Sequence, residues 1–562
     1  MVTDCHESSS RTGVPHAVTS PARTFAWLFL LPAFTCCGVA RAADSIGYPE
    51  LVELFQEFRA LTGVSGDEYG ALPVVDPAMI EAQAVALGEF QARLGAIDPS
   101  AWTIPEQVDF HLVRAEMNGL EFRHRVTRPW FRDPGTYSDI VYFIGEFPGM
   151  PPDDESRGMP SGEESSGIRT ILEALPDFFS QARINLADVD AIPGDLALLA
   201  TRDLRNGDAD FAAMLAEAPA DDPQLRDAID AARQAAAEFL AWLESNADRM
   251  VAPAGVGREN YDWLLKNVYL FPYSWDQLST IVELEDNRVI TFQQLEANRN
   301  RALPDIQPVQ SQEEYRQSVA AAIDDLMSFI RDENIFSMPD YLTPDDYFGS
   351  WHGFDNPWPQ THDYFFNFSH REPRMEEAHE MVGHHFDALR GQHDTHPIRQ
   401  GWRPYKIATA RTEGFAFALE ELLMHAGYLD HRTPRAREIA YEQAAFRTVR
   451  ALSDIYMHDN QWSLRDAMAF SVANAPHGEL LDDSPHLWFE MATTLRGVGH
   501  HMLMVVGKVQ FMKLLRDRSQ QLGDDFELQV FMDEFFESGL IPISLIRWEM
   551  TGRDDEMRTL LQ

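Results

Sequence analysis

Apolar residues recur at helical spacing over most of the chain beyond residue 45, and this periodicity constrains the fold more than any other feature. The clearest runs cover residues 48–63, 227–245 and 313–334, where hydrophobic side chains fall three or four positions apart, as on one face of a helix. Strand-like alternation is scarce, and "DNRVITF" at 286–292 is the best candidate for a strand. The sequence therefore predicts a mostly α fold.

Two loop-like stretches interrupt the helical pattern. Residues 148–167 are rich in Pro, Gly, Ser and acidic residues, and residues 339–366 are rich in Pro, Gly and aromatic residues. Aromatic-rich loops often line clefts, although packing over a core explains them equally well. We expect two helical halves around a deep cleft, an amino-terminal half (43–340) and a carboxy-terminal half (341–562).

The charge of the chain restricts its partners. The 562 residues carry a formal net charge of -43, and 45% of them are hydrophobic, which is typical of a globular protein. A polyanion is repelled by nucleic acids and by anionic lipid surfaces. We therefore expect no nucleic-acid partner, and no pattern in the sequence indicates an oligomeric state.

The amino terminus has the features of an export signal. Residues 24–40 form an apolar run too short for a membrane span, and residues 40–42 read Ala-Arg-Ala, the small-x-small pattern of signal-peptidase cleavage. We predict that residues 1–42 are a signal peptide with an upstream extension and that the protein is exported to a periplasm or beyond. Lipid anchoring through Cys36 or Cys37 is the alternative. No other segment is apolar enough to span a bilayer.

The sequence "HEMVGHH" at 379–385 resembles the zinc-protease pattern H-E-x-x-H with one residue inserted. Two histidines four apart on a helix face the same way and share an ion, but His379 and His384 are five apart and point about 140° apart on an ideal helix. A π-helical bulge would bring them together, and such bulges concentrate at functional sites. Gly383 tolerates that distortion. The motif therefore predicts a metal site only if the helix widens.

An ordinary surface helix explains the same residues. Glu380 and His384 are four apart, and an exposed pair at that spacing contributes a few tenths of a kcal/mol. The motif alone leaves both interpretations open.

A second acidic segment follows the motif. Glu413 and Glu420 in "TEGFAFALE" are seven apart, so one helical face carries both. A glutamate from a second helix is the usual third ligand in zinc peptidases whose first helix provides two histidines and a base. An exposed amphipathic face is the alternative.

Further polar residues follow at regular spacing. A predicted helical ridge, spaced by four, consists of Arg450, Asp454, His458 and Trp462, and His500 and His501 begin an apolar helix. Near a metal, such side chains bind an oxyanion or orient a ligand imidazole.

Two resemblances support the metal-site interpretation. "HEMVGH" resembles the H-E-x-x-G-H motif of the dipeptidyl peptidase III family, in which both histidines bind zinc and the glutamate activates water. Five blocks in order also resemble the domain of unknown function 885 family, whose members look like helical, metal-dependent peptidases. These blocks are HEMVGHH, TEGFAFALE, RALSDIYMHDNQW, VGHHMLMVVG and LGDDFEL. The likeness spans roughly residues 50 to 550.

The chain departs from the family pattern at three places. The proline before Gly383 is missing, Phe415 replaces a tryptophan, and Met504-Val505 replaces Tyr-Lys. If the family's tyrosine polarises the substrate carbonyl, this chain uses another group, for which His500 and His501 are candidates.

The resemblance implies a gluzincin-like fold and a site with one Zn²⁺ ion in the carboxy-terminal half. The expected ligands are His379, His384 and Glu413, with Glu380 as general base. The groups expected to stabilise an oxyanion or bind a substrate carboxylate are His458, Arg450 and His500. Asp454 or Glu420 would orient a ligand, and His385 lies beside His384 as its possible replacement.

The expected function is that of a secreted zinc metallopeptidase acting on a peptide or small-molecule substrate. The alternatives are a metal-dependent hydrolase of a non-peptide amide or ester, and a helical binding protein whose metal site has decayed.

Overall fold

Helices carry the fold, and no strand occurs among the residues that the structure describes. The computed structural model describes residues 47–62, 72–73, 75–146, 163–345, 347, 364–401, 403–478 and 480–562. The predicted signal peptide at 1–42 lies outside these residues, as do most of the predicted loops at 148–167 and 339–366. The prediction of a mostly α fold is confirmed.

The helices of the first part of the chain are α1 (Tyr48–Thr62), α2 (Pro77–Gly95), α3 (Ile104–Phe122), α4 (Pro129–Arg132), α5 (Gly135–Glu146), α6 (Glu163–Asn185), α7 (Gly194–Glu217), α8 (Pro223–Asn246), α9 (Arg258–Asn267), α10 (Trp275–Asn300) and α11 (Gln312–Asp332). Those of the second part are α12 (Tyr364–Ser369), α13 (Arg374–Glu377), α14 (Phe386–His393), α15 (Thr409–Ala426), α16 (Arg435–His458), α17 (Leu464–Asn474), α18 (Pro485–Arg496), α19 (His500–Leu522), α20 (Leu528–Glu537), α21 (Ile543–Thr551) and α22 (Asp555–Leu561). A π-helical segment, Ala378–His385, joins α13 to α14 without a break. In the part of the chain that the structure describes, no helix is long and apolar enough to cross a membrane.

The strand candidate at 286–292 was wrong, because these residues lie inside α10. The helix begins after Ser274, whose side chain and that of Gln277 form a capping box. Its buried face includes Leu278, Val282 and Val289, which follow helical spacing over a longer range than the apparent alternation. A short window therefore concealed the helical period.

The main hydrophobic core draws on helices from both sides of residue 340. It joins Leu51 and Val289 to Met381, Phe415 and Phe511. A second core lies among α5 to α8, and a third packs α16 to α18 against α7. The predicted boundary near residue 340 and the deep cleft remain predictions, but the elements before and after 340 share one packed interior.

Glycines allow α15 to pack unusually close to its neighbours. A Cβ at Gly414 of α15 would lie 2.5 Å from the Cα of Gly507 in α19, and a Cβ at Gly507 would overlap the carbonyl oxygen of Ala410. Side chains larger than hydrogen are therefore excluded where the two helices cross. Since Glu413 precedes Gly414, this crossing fixes the position of a predicted metal ligand.

Candidate metal centre

The widened helix that the motif requires is present. His379 and His384 both lie in the π-helical segment, where hydrogen bonding from each residue to the fifth one along places residues five apart on successive turns. Their ring centroids are 4.8 Å apart, with the rings inclined at 77°. The helix continues through α14 to His393. The extra residue of the motif is thus absorbed by the bulge, and both imidazoles face the same region.

Gly383 allows this segment to contact α15. A Cβ at Gly383 would overlap the Cβ of Ala416 and lie 3.0 Å from its Cα. Met381 and Val382 of the segment are fully buried in the main core. The widened turn is therefore held between the core and α15, the helix that carries Glu413 and Glu420.

Glu413 lies opposite both histidines. Its Oε2 atom is 3.6 Å from Nε2 of His379 and 3.7 Å from Nε2 of His384. A zinc ion bound tetrahedrally to two imidazoles and a carboxylate at about 2.0 to 2.2 Å would hold such atoms about 3.4 Å apart. The donor types and their separations therefore fit a zinc ion.

Glu380 lies beside this group and, with His379 and His384, forms a set of side chains that could themselves hold a metal ion. Ligand atoms of His379, Glu380 and His384 all lie within 4.8 Å of one another, and Glu380 is half-buried. A catalytic zinc site requires three protein ligands, an open position and a base near that position. Glu413 on α15 can provide the ligand, and Glu380 in the π-helical segment can provide the base.

Glu420 fixes the orientation of His379. The Nδ1 atom of His379 donates to Oε1 of Glu420 at 2.7 Å. Arg447 of α16 forms an ion pair with the same carboxylate oxygen at 2.6 Å. Because Nδ1 donates to Glu420, Nε2 is the nitrogen that would bind a metal ion on the side of Glu413. A carboxylate on the distal nitrogen is the usual support for a ligand histidine.

The electrostatics of the site favour a positive charge between the imidazoles. Burial and the Arg447 guanidinium lower the pKa of His379, but the neighbouring carboxylates of Glu413 and Glu420 outweigh them and raise it to about 9. Burial raises the pKa of Glu413, yet the charges of His384 and His379 hold it well below its usual range. The carboxylates that attract a proton to His379 would also attract a metal cation to the same place.

His385 points away from this group. Its Nε2 atom is 3.1 Å from the backbone oxygen of Thr343, and its ring packs against Tyr347 at 5.3 Å between centroids. Of the two alternatives that the sequence left open, the structure brings His384 to Glu413 and places His385 on the opposite side of the helix.

Residues of the predicted ridge on α16 have buried partners other than the two predicted ligand histidines. Asp454 accepts hydrogen bonds from the backbone amides of Gly499, His501 and Met502, and so anchors the start of α19. His458, fully buried, donates from Nε2 to the carbonyl of Thr494 at 3.1 Å. The helix ends at His458, so Trp462 does not belong to the ridge. Asp454 orients a helix rather than a ligand imidazole.

Arg450 and His501 also have buried partners. Arg450 pairs with Glu490 at 2.6 Å, and His501 lies 2.9 Å from the same carboxylate. Nδ1 of His501 is 2.7 Å from the hydroxyl of Thr494. These contacts occupy both ring nitrogens of His501 and part of the Arg450 guanidinium.

Sequence reasoning missed two cations near the site. Arg447 lies on α16 one turn before Arg450, and helical spacing from Gln443, four residues earlier, could have drawn attention to it. Gln443 itself donates a hydrogen bond to the buried Glu376. Lys406 lies in the turn before α15, and its Nζ atom is 3.1 Å from Nδ1 of His500. No periodic pattern marks a residue in a turn, so Lys406 had no signal in the sequence.

Comparison with known proteins identifies the family. The profile of a family described as "Bacterial protein of unknown function (DUF885)" matches residues 57–340 and 356–550. The chain belongs to the DUF885 family. No curated protein matches it.

Two solved structures are similar to this DUF885 protein over nearly their whole length. One is described as a putative lipoprotein of unknown function from Shewanella oneidensis, with a TM-score of 0.64, 16% identity, and coverage of 90% of this chain and 100% of that chain. The other, described as the putative lipoprotein from Colwellia psychrerythraea, has a TM-score of 0.63, 14% identity, and coverage of 92% and 99%. At this identity the likeness shows the fold alone.

We expect Gly383→Ala to destabilise the protein by about 1 to 3 kcal/mol, because the added methyl group overlaps Ala416 in a packed interface. In a Gly383→Ala/Ala416→Gly double variant, removal of the opposing methyl group should recover part of this loss. Chemical denaturation of the wild type, both single variants (Gly383→Ala and Ala416→Gly) and the double variant gives the coupling energy. A Gly383→Ala protein as stable as the wild type would show that the close contact is not required.

We also expect His458 to remain neutral down to about pH 4, because burial lowers its pKa to about 4 while the hydrogen bond to Thr494 opposes this only partly. A histidine in the unfolded chain takes up its proton near pH 6.5. The unfolded state therefore binds this proton first, and the fold loses stability as the pH falls from about 6.5 towards 4. NMR titration of histidine-labelled protein, with His458→Gln to assign the signal, measures the pKa. A value of 6 or above would contradict the buried environment.

Proposed function

We propose that this DUF885 protein is a zinc-dependent peptidase. The proposal is carried by one observation, the convergence of two imidazole Nε2 atoms on a single carboxylate oxygen of Glu413 at 3.6 and 3.7 Å. His379, His384 and Glu413 would hold the ion. When bound, zinc supplies a Lewis acid that polarises a carbonyl and lowers the pKa of water.

Glu380 is the general base of the proposed reaction. It accepts a proton from the water that attacks the scissile carbonyl and donates it to the nitrogen of the leaving amine. Its place next to His379 in sequence, and its distance of at most 4.8 Å from both histidine ligand atoms, keep it near the reacting groups. No further group is required for this proton transfer.

Glu420 and Arg447 keep His379 in one orientation. The Arg447 guanidinium binds the carboxylate that accepts from Nδ1, so rotation of the imidazole would break a buried hydrogen bond and expose an unpaired charge. These residues act through His379 and do not contact the substrate.

We further propose that the protein is exported. The apolar run at 24–40 and the Ala-Arg-Ala at 40–42 support cleavage of a signal peptide, and both structural neighbours are described as putative lipoproteins. Lipid attachment through Cys36 or Cys37 is the form that the neighbours' descriptions favour. Mass spectrometry of the mature amino terminus distinguishes cleavage after residue 42 from a lipidated cysteine.

We expect the purified protein to bind one zinc ion and to cleave peptides in a chelator-sensitive manner. Glu380→Gln should retain zinc but lose activity by at least about 100-fold, because the base is missing while all three ligands remain. His384→Ala should lose both zinc binding and peptide cleavage. His385→Ala is the matched control, since its imidazole lies on the Thr343 carbonyl and should be dispensable for both.

Metal analysis and a peptide-library cleavage assay on these variants measure the two properties separately. Zinc binding that survives His384→Ala, or cleavage that survives Glu380→Gln, would overturn the assignment of these residues. Zinc binding without cleavage of any peptide would overturn the peptidase activity and leave a metal-binding protein.

A further inference from the structure

Lys406 lies in a strained turn next to the candidate metal centre. Tyr405 and Lys406 both have a φ of 58°, a left-handed backbone conformation that is uncommon for residues other than glycine. Strained residues concentrate at functional sites, where the surrounding structure holds a side chain in one place. The turn leads directly into α15, which carries Glu413. The start of α15 therefore positions both the half-buried Lys406 side chain and the predicted ligand Glu413.

The Lys406 side chain lies against two residues at the junction of α18 and α19, Gly497 and His500. Its Nζ atom is 3.1 Å from Nδ1 of His500, and a Cβ at Gly497 would lie 3.0 Å from Nζ and overlap Cε. Gly497 therefore leaves the space that the lysine stem occupies. The Lys406 ammonium is only a hydrogen-bond donor, so Nδ1 of His500 is the acceptor and the His500 imidazole is neutral in this arrangement.

Lys406 has no carboxylate within ion-pair distance among the described residues. Lys508 shows the contrast, since its buried ammonium pairs with Glu285 at 2.8 Å and Glu421 at 2.7 Å. A half-buried cation bound only to a neutral acceptor retains the capacity to bind an anion. In a chain with a net charge of -43, such a cation is an unusual feature.

Lys406 also lies close to the predicted ligand Glu413 along the chain. It precedes Glu413 by seven positions, and α15 begins between them at Thr409, so about two helical turns separate the two residues. Burial lowers the pKa of Lys406, while the Glu413 carboxylate opposes this shift.

We propose that Lys406 binds the terminal carboxylate of a peptide substrate, so that the protein acts as an exopeptidase at carboxyl ends; this rests on the proposed peptidase function. The carboxylates of Glu380 and Glu413 lie beside the histidine ligand atoms and would repel a substrate carboxylate unless a cation neutralised it. The other predicted anion-binding groups are occupied, since Arg450 binds Glu490 and His458 binds Thr494. One cation at a fixed position from the metal centre selects for a carboxylate at a fixed distance from the scissile bond.

The test compares each short peptide of a library as free acid and as carboxyl-terminal amide. Binding is measured by calorimetry to zinc-loaded Glu380→Gln protein, in which no cleavage occurs. We expect the free acids to bind at least about tenfold more tightly, as for the loss of a charged hydrogen bond. Adding Lys406→Met, which keeps the apolar stem, should remove the difference, and adding Lys406→Arg should restore part of it.

The outcomes separate this inference from the proposed function. Zinc binding and peptide cleavage with equal affinity for acids and amides would overturn the role of Lys406 and leave the peptidase standing. A Lys406→Met variant of otherwise wild-type protein that lowers kcat equally for acids and amides would overturn it in the same way, because that result assigns Lys406 to the oxyanion. Absence of zinc and of peptide binding would overturn both. Retained zinc stoichiometry and unchanged thermal unfolding show that the variants are folded.

Discussion

Contact between the π-helical segment and α15 determines the geometry of the candidate metal centre. Two histidines five apart cannot face one ion from a regular α-helix, and the widened turn that brings their rings to 4.8 Å is packed at Gly383 against Ala416. The same helix α15 carries Glu413 and Glu420, so one interface places two imidazoles, the facing carboxylate and the carboxylate behind His379. A π-helical turn has poorer packing than an α-helical turn, and burial of Met381 and Val382 in the main core offsets that cost.

A second interface fixes α15 from the other side. Gly414 and Gly507 let α15 and α19 approach until their backbones touch, and Asp454 binds three backbone amides at the start of α19. Burial raises the pKa of Asp454 to about 7, although the amides and Tyr261 oppose the shift by donating hydrogen bonds. His500 and Gly497, which hold Lys406, adjoin this anchored end. The polar residues of α16 thus support the site through α19 and, at Arg447, through Glu420.

The sequence was sufficient to predict the helical class, and the spacing within one helix identified a π-helical bulge as the condition for bringing His379 and His384 together. The spacing left the metal site open, and the family resemblance was needed to add Glu413 to the expected ligands. The sequence was insufficient where spacing is ambiguous or absent. Residues 286–292 alternate over too short a window, and the ridge of Arg450, Asp454 and His458 has helical spacing that does not reveal which neighbour it meets. Lys406 comes from a turn, and its approach to His500, 94 positions away, depends on the tertiary fold.

Diffraction from crystals grown with zinc, measured at the zinc absorption edge, tests the central claim most directly. We expect one anomalous peak bounded by Nε2 of His379, Nε2 of His384 and a carboxylate oxygen of Glu413, each at about 2.0 to 2.2 Å from the ion. A protein that shows no peak in excess zinc, or a peak whose neighbours do not include these three side chains, would contradict the assignment.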